Sequence, residues 1–163
     1  MGSYSAGAAY NHGGITGSVE LLAVPVVRVE DLFAHAEPKT GAIKILANVR
    51  NAGNAAVRGR VEFTVAPAAS GESLTATAVE CELTPGDTPV QAEVKIDQPR
   101  LWELNDPFLY RVTAQVGDNE RSVRCGFREL RFENGFFRLN GRRLFLRSPH
   151  TCNHFPVGLK LPP

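Results

Sequence analysis

The chain has 163 residues, of which 43% are hydrophobic and 21% are charged, a composition typical of a soluble globular domain. Its formal net charge of +1 lacks the basic excess that nucleic-acid-binding and membrane-surface proteins usually carry. No apolar run approaches the roughly 20 residues of a membrane span, and the first residues lack the pattern of a signal peptide. We therefore expect one globular domain with no nucleic-acid partner and no membrane partner.

Residues 1–18 are rich in Gly, Ala and Ser, which is typical of a tail rather than of a core element. From Val19 onward, apolar and polar residues alternate in short runs that Pro or Gly interrupts. The alternation predicts strands near residues 19–23, 27–37, 43–49, 61–65, 76–83, 90–96, 110–116 and 123–127. No window has the three-and-four spacing of a helix. The sequence therefore predicts an all-β fold, an immunoglobulin-like antiparallel β-sandwich of about seven strands over residues 19–129.

Two dipeptides of the kind that closes tight hairpins, Asn134-Gly135 and Asn140-Gly141, follow the predicted sandwich. They separate the short apolar segments 130–132, 136–139 and 144–146, which predicts a C-terminal hairpin extension. After Arg147 the pattern dissolves into a polar loop. Because a compact domain rarely ends in this way, we expect the chain to be truncated at its C-terminus.

An ordered series of motifs runs through the second half of the chain. It comprises Leu101-Trp102, Pro107 with Leu109-Tyr110, Cys125-Gly126-Phe127-Arg128-Glu129, Phe137-Arg138-Leu139-Asn140-Gly141 and Leu144-Phe145-Leu146-Arg147. The series resembles that of glycoside hydrolase family 2, the β-galactosidase, β-glucuronidase and β-mannosidase group. The resemblance covers nearly the whole of this chain, but it corresponds only to the middle part of a complete enzyme of the family.

The resemblance implies a place in a longer parent enzyme, with a sugar-binding jelly roll first, an immunoglobulin-like sandwich second and a catalytic (β/α)₈ barrel third. Residues 1–18 then form a tail or the remnant of the jelly roll, and residues 19–129 form the sandwich. Residues 130–163 form a hairpin and the start of a truncated barrel. The implied parent hydrolyses β-glycosidic bonds with retention and without a cofactor, and this chain scaffolds and links its partner domains.

Catalysis in that family depends on carboxylates of late barrel strands, so the resemblance implies that this chain alone is inactive. Two local pairs, Glu80 with Glu82 and Glu129 with Glu133, have no apolar pocket that would raise a pKa for acid catalysis. We interpret both as solvated surface pairs.

The resemblance also implies substrate contacts at the mouth of the barrel in the intact parent, from Arg147, His150, Asn153 and His154. Ser148, His150 and Cys152 depart from the Arg-Gly-x-Asn-x-His-Glu pattern that is common there, which indicates a divergent enzyme. An extended backbone would put His150, Cys152 and His154 on one side, but this spacing matches no common zinc signature. We expect no metal site.

Other conspicuous residues have structural interpretations. Trp102 should fill the link between two strands, with sugar stacking as the alternative, and Tyr110 resembles a tyrosine corner. Cys81 and Cys125 should be thiols, although one bridge between them is left open. The arginines between residues 121 and 147 should lie on outward strand faces and form ion pairs.

An apolar patch should be exposed where the barrel of the parent would pack, and the chain could self-associate through it. The patch should comprise Phe132, Phe136, Phe137, Leu144, Phe145 and Leu146.

A stand-alone carbohydrate- or protein-binding sandwich is the alternative function, because this architecture hosts many binders. Such a binder should have an exposed aromatic platform or a polar cleft that is complete within the chain. A cell-surface adhesion module would require export signals, which this sequence lacks.

Overall fold

The computed structural model describes residue 15 and residues 17–146, and residues 23–145 form one compact unit. The strands are β1 (Val27–Glu37), β2 (Ala42–Asn51), β3 (Val57–Pro67), β4 (Thr75–Leu83), β5 (Gly86–Lys95), β6 (Trp102–Glu103), β7 (Asp106–Pro107), β8 (Tyr110–Val116), β9 (Asn119–Cys125), β10 (Leu130–Glu133), β11 (Phe136–Leu139) and β12 (Arg142–Leu144). The described residues contain no helix, so none of them forms a helix that could cross a membrane.

Seven longer strands build the sandwich as two antiparallel sheets. One sheet has the order β1-β2-β5 and the other has the order β4-β3-β8-β9. The N–H of Val29 donates to Oδ1 of Asn119 at 2.8 Å and thereby ties β1 to β9 across the two sheets. The predicted all-β, immunoglobulin-like sandwich of about seven strands is confirmed.

The core lies between the inner faces of the two sheets, as the alternating patterns predict. Side chains with period two on β2, β3 and β8 are almost fully buried. They include Ile43, Ile45, Ala47 and Val49 on β2, Val61, Phe63 and Val65 on β3, and Tyr110, Val112 and Ala114 on β8.

Asn51 is a buried polar residue at the end of β2, and its side chain is fully satisfied. Its Nδ2 donates to the carbonyl oxygens of Ala55 and Leu83 at 2.9 Å each, and its Oδ1 accepts the N–H of Gly53 at 2.9 Å. The side chain therefore holds the β2–β3 turn against the end of β4.

The predicted strand at residues 19–23 is wrong. Residues 17–26 carry no strand, and Val19, Leu21 and Leu22 are exposed. A strand needs a neighbour for its N–H and C=O groups, and no described strand pairs with this segment. The first strand of the sandwich begins at Val27.

The C-terminal extension is a three-stranded antiparallel sheet of order β10-β11-β12, which we call the hairpin sheet. Asn134, Gly135, Asn140 and Gly141 all have positive φ angles, between 49° and 81°, as tight two-residue hairpin turns require. The last strand lies at Arg142–Leu144 rather than at residues 144–146, because the second turn places Arg142 opposite Leu139.

Candidate functional site

The substrate contacts that the sequence predicts fall on Arg147, His150, Asn153 and His154, and all four lie outside the described residues. Cys152 lies outside them too. The structure instead brings most of the motif series together at one end of the sandwich, between the sandwich and the hairpin sheet. We call this cluster the junction; it comprises residues 100–110, residues 126–129 and Asn140.

Trp102 begins the junction by pairing with the segment that follows β9. Its N–H donates to the carbonyl oxygen of Phe127 at 2.9 Å, and Leu101 forms a parallel bridge with Phe127. Gly126 lies directly under these side chains. A Cβ atom there would lie 3.1 Å from Trp102 Cβ and 3.2 Å from Leu109 Cδ2, so any larger residue would require its neighbours to shift by a few tenths of an ångström.

Tyr110 anchors the loop that precedes it. Its hydroxyl accepts the backbone N–H of Arg100 at 2.9 Å, which is the arrangement of a tyrosine corner. Its buried ring makes edge-to-face contacts with Phe108 and Phe127, with centroids 5.0 and 5.2 Å away. The interpretation of Tyr110 as a tyrosine corner agrees with this contact.

Asn140 joins the hairpin sheet to the junction with four hydrogen bonds. Its Nδ2 donates to the carbonyl oxygen of Trp102 at 2.9 Å and to Oε1 of Glu103 at 3.1 Å. Its Oδ1 accepts the N–H of Glu129 at 2.9 Å, and its own N–H donates to the carbonyl oxygen of Glu129 at 2.9 Å. One turn residue of the hairpin sheet is therefore bonded to two separate segments of the sandwich end.

Glu129 adds an electrostatic link at the same place. Its carboxylate pairs with Lys39, in the turn between β1 and β2, at 3.3 Å, and with Arg131 on β10. Because the Glu129 side chain is only about a quarter exposed, these charges are screened less than a fully exposed pair. Glu129 thus links the β1–β2 turn of the sandwich to the hairpin sheet and does not form a pair with the Glu133 carboxylate.

The two faces of the hairpin sheet differ in character. Directly paired residues share a face, which puts Leu130 with Leu139, and Phe132 with Phe137 and Leu144, on one side. Leu139 is buried, whereas the other four side chains are partly or largely exposed. Arg142, which is paired with Leu139, lies at the end of the same side. We call Leu130, Phe132, Phe137 and Leu144 the apolar hairpin face. A shallow cavity of about 240 Å³ lies beside it, lined in part by Leu104, Leu139 and Leu144.

The opposite face of the hairpin sheet carries its own charge partners. Arg138 pairs with Glu133 at 3.3 Å, and the guanidinium of Arg143 lies 3.7 Å from the ring centre of Phe136. The expected apolar patch is therefore divided, because Phe136 faces away from Phe132 and Phe137. Phe145 and Leu146 are exposed but follow the last strand.

The structure assigns no catalytic or metal-binding role to the other residues that the sequence singled out within the described ranges. Glu80 and Glu82 are exposed on β4, and Glu80 pairs with Arg60 at 3.7 Å. Cys81 and Cys125 are free thiols on β4 and β9, the two outer strands of one sheet, so a bridge between them is excluded by position. The described residues contain no cluster of metal-ligating side chains.

Burial changes the titration of both described thiols. It raises the pKa of the Cys125 thiol from 9.0 to about 11. For Cys81, burial raises the pKa above its ordinary value, and the neighbouring Glu80 carboxylate adds to this effect. Both thiols are therefore poor nucleophiles at neutral pH.

Sequence reasoning identified the members of the junction but missed its central contact. The Asn140-Gly141 pair signals a tight turn. Nothing in the local pattern indicates that the Asn140 side chain bonds to Trp102 and Glu103, which precede it by 38 and 37 positions. Such a contact depends on how the hairpin sheet docks on the sandwich.

Comparison with known proteins places these features in a family. The sequence model of glycosyl hydrolases family 2 matches residues 27–128. A β-galactosidase of Psychromonas ingrahamii is 31% identical over 81 residues, which is 46% of this chain and 8% of that protein.

Solved structures of longer enzymes contain the same fold. A β-glucuronidase of Parabacteroides merdae has a TM-score of 0.62 and 27% identity, covering 78% of this chain and 17% of its own. Bacteroides uniformis β-glucuronidase 2 has a TM-score of 0.67 and 21% identity, covering 77% and 17% respectively. The chain therefore spans less than a fifth of the length of each of these relatives.

Proposed function

Because this chain belongs to glycosyl hydrolases family 2, we propose that it is the non-catalytic sandwich domain of a longer β-glycosidase. The parent would hydrolyse β-glycosidic bonds with retention of configuration. Residues 1–18 would be a tail or the remnant of a sugar-binding jelly roll, residues 19–129 the sandwich, and residues 130–163 the hairpin and the start of a (β/α)₈ barrel. The sandwich would link the jelly roll to the barrel.

The observation that carries this proposal is the bonding of Asn140 to the junction. A flexible linker would let the domains on either side move independently. Here Asn140 bonds the hairpin sheet to Trp102 and Glu129, and the Glu129 carboxylate extends the link to Lys39. A domain that follows the hairpin sheet would therefore be held in a fixed orientation relative to the sandwich.

The apolar hairpin face supports a partner domain on that side. Exposed contiguous apolar surface usually marks an interaction site, whereas on the opposite face Arg138 pairs with Glu133 and Arg143 stacks on Phe136. We assign the apolar hairpin face to the barrel of the parent. In the chain by itself the same face would favour self-association.

The carboxylates of the described residues favour a non-catalytic role. Retention requires two carboxyl groups about 5–5.5 Å apart, one as nucleophile and one as acid and base. Glu129 and Glu133 are each engaged by arginines, and Glu80 and Glu82 lie exposed on an outer strand. Neither arrangement provides an apolar pocket for a protonated carboxyl group.

In the intact parent, Arg147, His150, Asn153 and His154 would bind substrate hydroxyl groups through their donors and acceptors. The names of the relatives, β-galactosidase and β-glucuronidase, suggest the aryl β-galactosides and β-glucuronides as the first substrates to test.

The test is to extend the reading frame of the source gene past the codon for Pro163 and to assay the whole product on both substrates. We expect hydrolysis with retention by the whole product and none by the 163-residue chain. Replacing His150 by Ala in the whole product should raise KM or lower kcat. A stop codon directly after Pro163, or full hydrolysis by the 163-residue chain, would contradict the proposal.

A further inference from the structure

The outer face of the β1-β2-β5 sheet carries an open groove of about 690 Å³, which we call the sheet groove. The side chains that line it from this face are Phe33, His35, Lys44, Leu46, Gln91 and Glu93. None of them takes part in the junction or in the sandwich core.

The register of the three strands arranges these side chains in two rows. Phe33, Leu46 and Gln91 lie side by side across the sheet, and His35, Lys44 and Glu93 form the next row. Phe33 is 59% exposed and Leu46 is 42% exposed, so the first row offers an aromatic ring beside an aliphatic side chain. The groove therefore combines an apolar strip with a polar border.

The polar border has unused hydrogen-bonding capacity. Within the part of the chain that the structure describes, His35, Lys44, Gln91 and Glu93 form no side-chain hydrogen bond and no ion pair. Lys44 and Glu93 are directly opposed across β2 and β5, yet no bridge joins them. Their charges cancel in sum, while their donors and acceptors remain available to a ligand.

The width of the groove indicates the size of the ligand that it could hold. Adjacent strands lie about 4.8 Å apart, so three strands give a floor roughly 10 Å wide. Two exposed apolar side chains, the aromatic Phe33 and the aliphatic Leu46, lie on this floor. The floor matches one or two sugar rings, which combine an apolar C–H face with a rim of hydroxyl groups.

We infer that the sheet groove is a binding site for a neutral saccharide, with Phe33 stacking on the C–H face of a sugar ring. His35, Lys44, Gln91 and Glu93 would bind its hydroxyl groups, as small-molecule sites do with a few polar groups around an apolar floor. This site lies on the sandwich itself and does not depend on the catalytic role of a parent enzyme.

The test is an amide-resolved NMR titration of the 163-residue chain with two neutral β-linked disaccharides, lactose and cellobiose. We expect saturable shifts of amides in β1, β2 and β5 with at least one of them. Phe33→Ala should weaken binding by about tenfold or more, because the stacking area is lost. Gln91→Ala should also weaken it.

Phe145→Ala is the control, since Phe145 is also an exposed aromatic residue, lies outside both the sheet groove and the apolar hairpin face, and should leave the titration unchanged. Far-ultraviolet circular dichroism would establish that each variant folds. The inference is overturned if neither sugar gives saturable shifts up to high millimolar concentration, or if Phe33→Ala binds as the wild type does. It is also overturned if the same amides shift with protein concentration alone, because a second copy would then occupy the groove.

Discussion

Gly126 and Tyr110 are motif residues whose roles are structural. Gly126 admits the close approach of Trp102 and Leu109, and Tyr110 accepts the N–H of Arg100. The tyrosine corner could be predicted from sequence because it depends on a short-range contact. The side-chain bonds of Asn140 could not, because they join residues far apart in sequence.

Replacing Gly126 by Ala should destabilise the chain by about 1–3 kcal/mol, because the new methyl group would crowd Trp102, Leu109 and the Phe108 carbonyl oxygen and force them to shift. The free energy of unfolding in urea measures this effect. Gly71→Ala is the control, since no atom lies within 4 Å of a Cβ built there. Equal midpoints for the two variants would show that the junction is not tightly packed.

The buried thiol of Cys125 makes the folding stability depend on pH in a direction that can be predicted. Its pKa is raised from 9.0 to about 11 in the fold, so the unfolded chain loses this proton more readily. The stability linked to Cys125 is complete below pH 9 and is lost as the pH rises from 9 to 11. Urea unfolding over this range should show a steeper loss for the wild type than for Cys125→Ala. Identical slopes would contradict the assigned burial.

At the scale of elements, strand alternation predicted the inner faces well, because period two holds wherever one face of a strand is buried. The same pattern failed at residues 19–23, where no described strand supplies a partner. The same alternation explains why Phe136 and Phe137 lie on different faces of the hairpin sheet, because consecutive residues of a strand point to opposite faces. The sequence indicated an apolar patch, but its division depends on the register of the hairpin sheet.

The apolar hairpin face should drive self-association of the isolated chain. Phe132→Ser removes a side chain that is 68% exposed on this face and should weaken self-association by about tenfold or more. Phe136→Ser, on the opposite face, should have little effect. Sedimentation velocity at increasing concentration distinguishes them. A wild-type chain that stays monomeric at high concentration, or equal effects of the two variants, would contradict this assignment.

At the scale of the whole molecule, the hairpin sheet depends on the sandwich for its order. The sandwich core folds from residues 27–127, and the hairpin sheet adds little core of its own beyond Leu139. Its strands are only three or four residues long, and Leu139 is the one hydrophobic side chain that they bury, so the sheet has little apolar burial to stabilise it by itself. Its order in this chain must therefore come from the junction, and above all from Asn140.

Hydrogen exchange of the amides in β10, β11 and β12 tests this claim most directly, in the wild type, Asn140→Ala and Asn134→Ala. Both asparagines precede Gly in two-residue turns of the hairpin sheet, with φ angles of 49° and 52°, so the backbone cost of substitution is matched. Only the Asn140 side chain is bonded to the sandwich end. We expect Asn140→Ala to accelerate exchange throughout the hairpin sheet by about tenfold or more, while the sandwich strands keep their protection. Exchange as slow as in the wild type, or equal acceleration by Asn134→Ala, would contradict this dependence on Asn140.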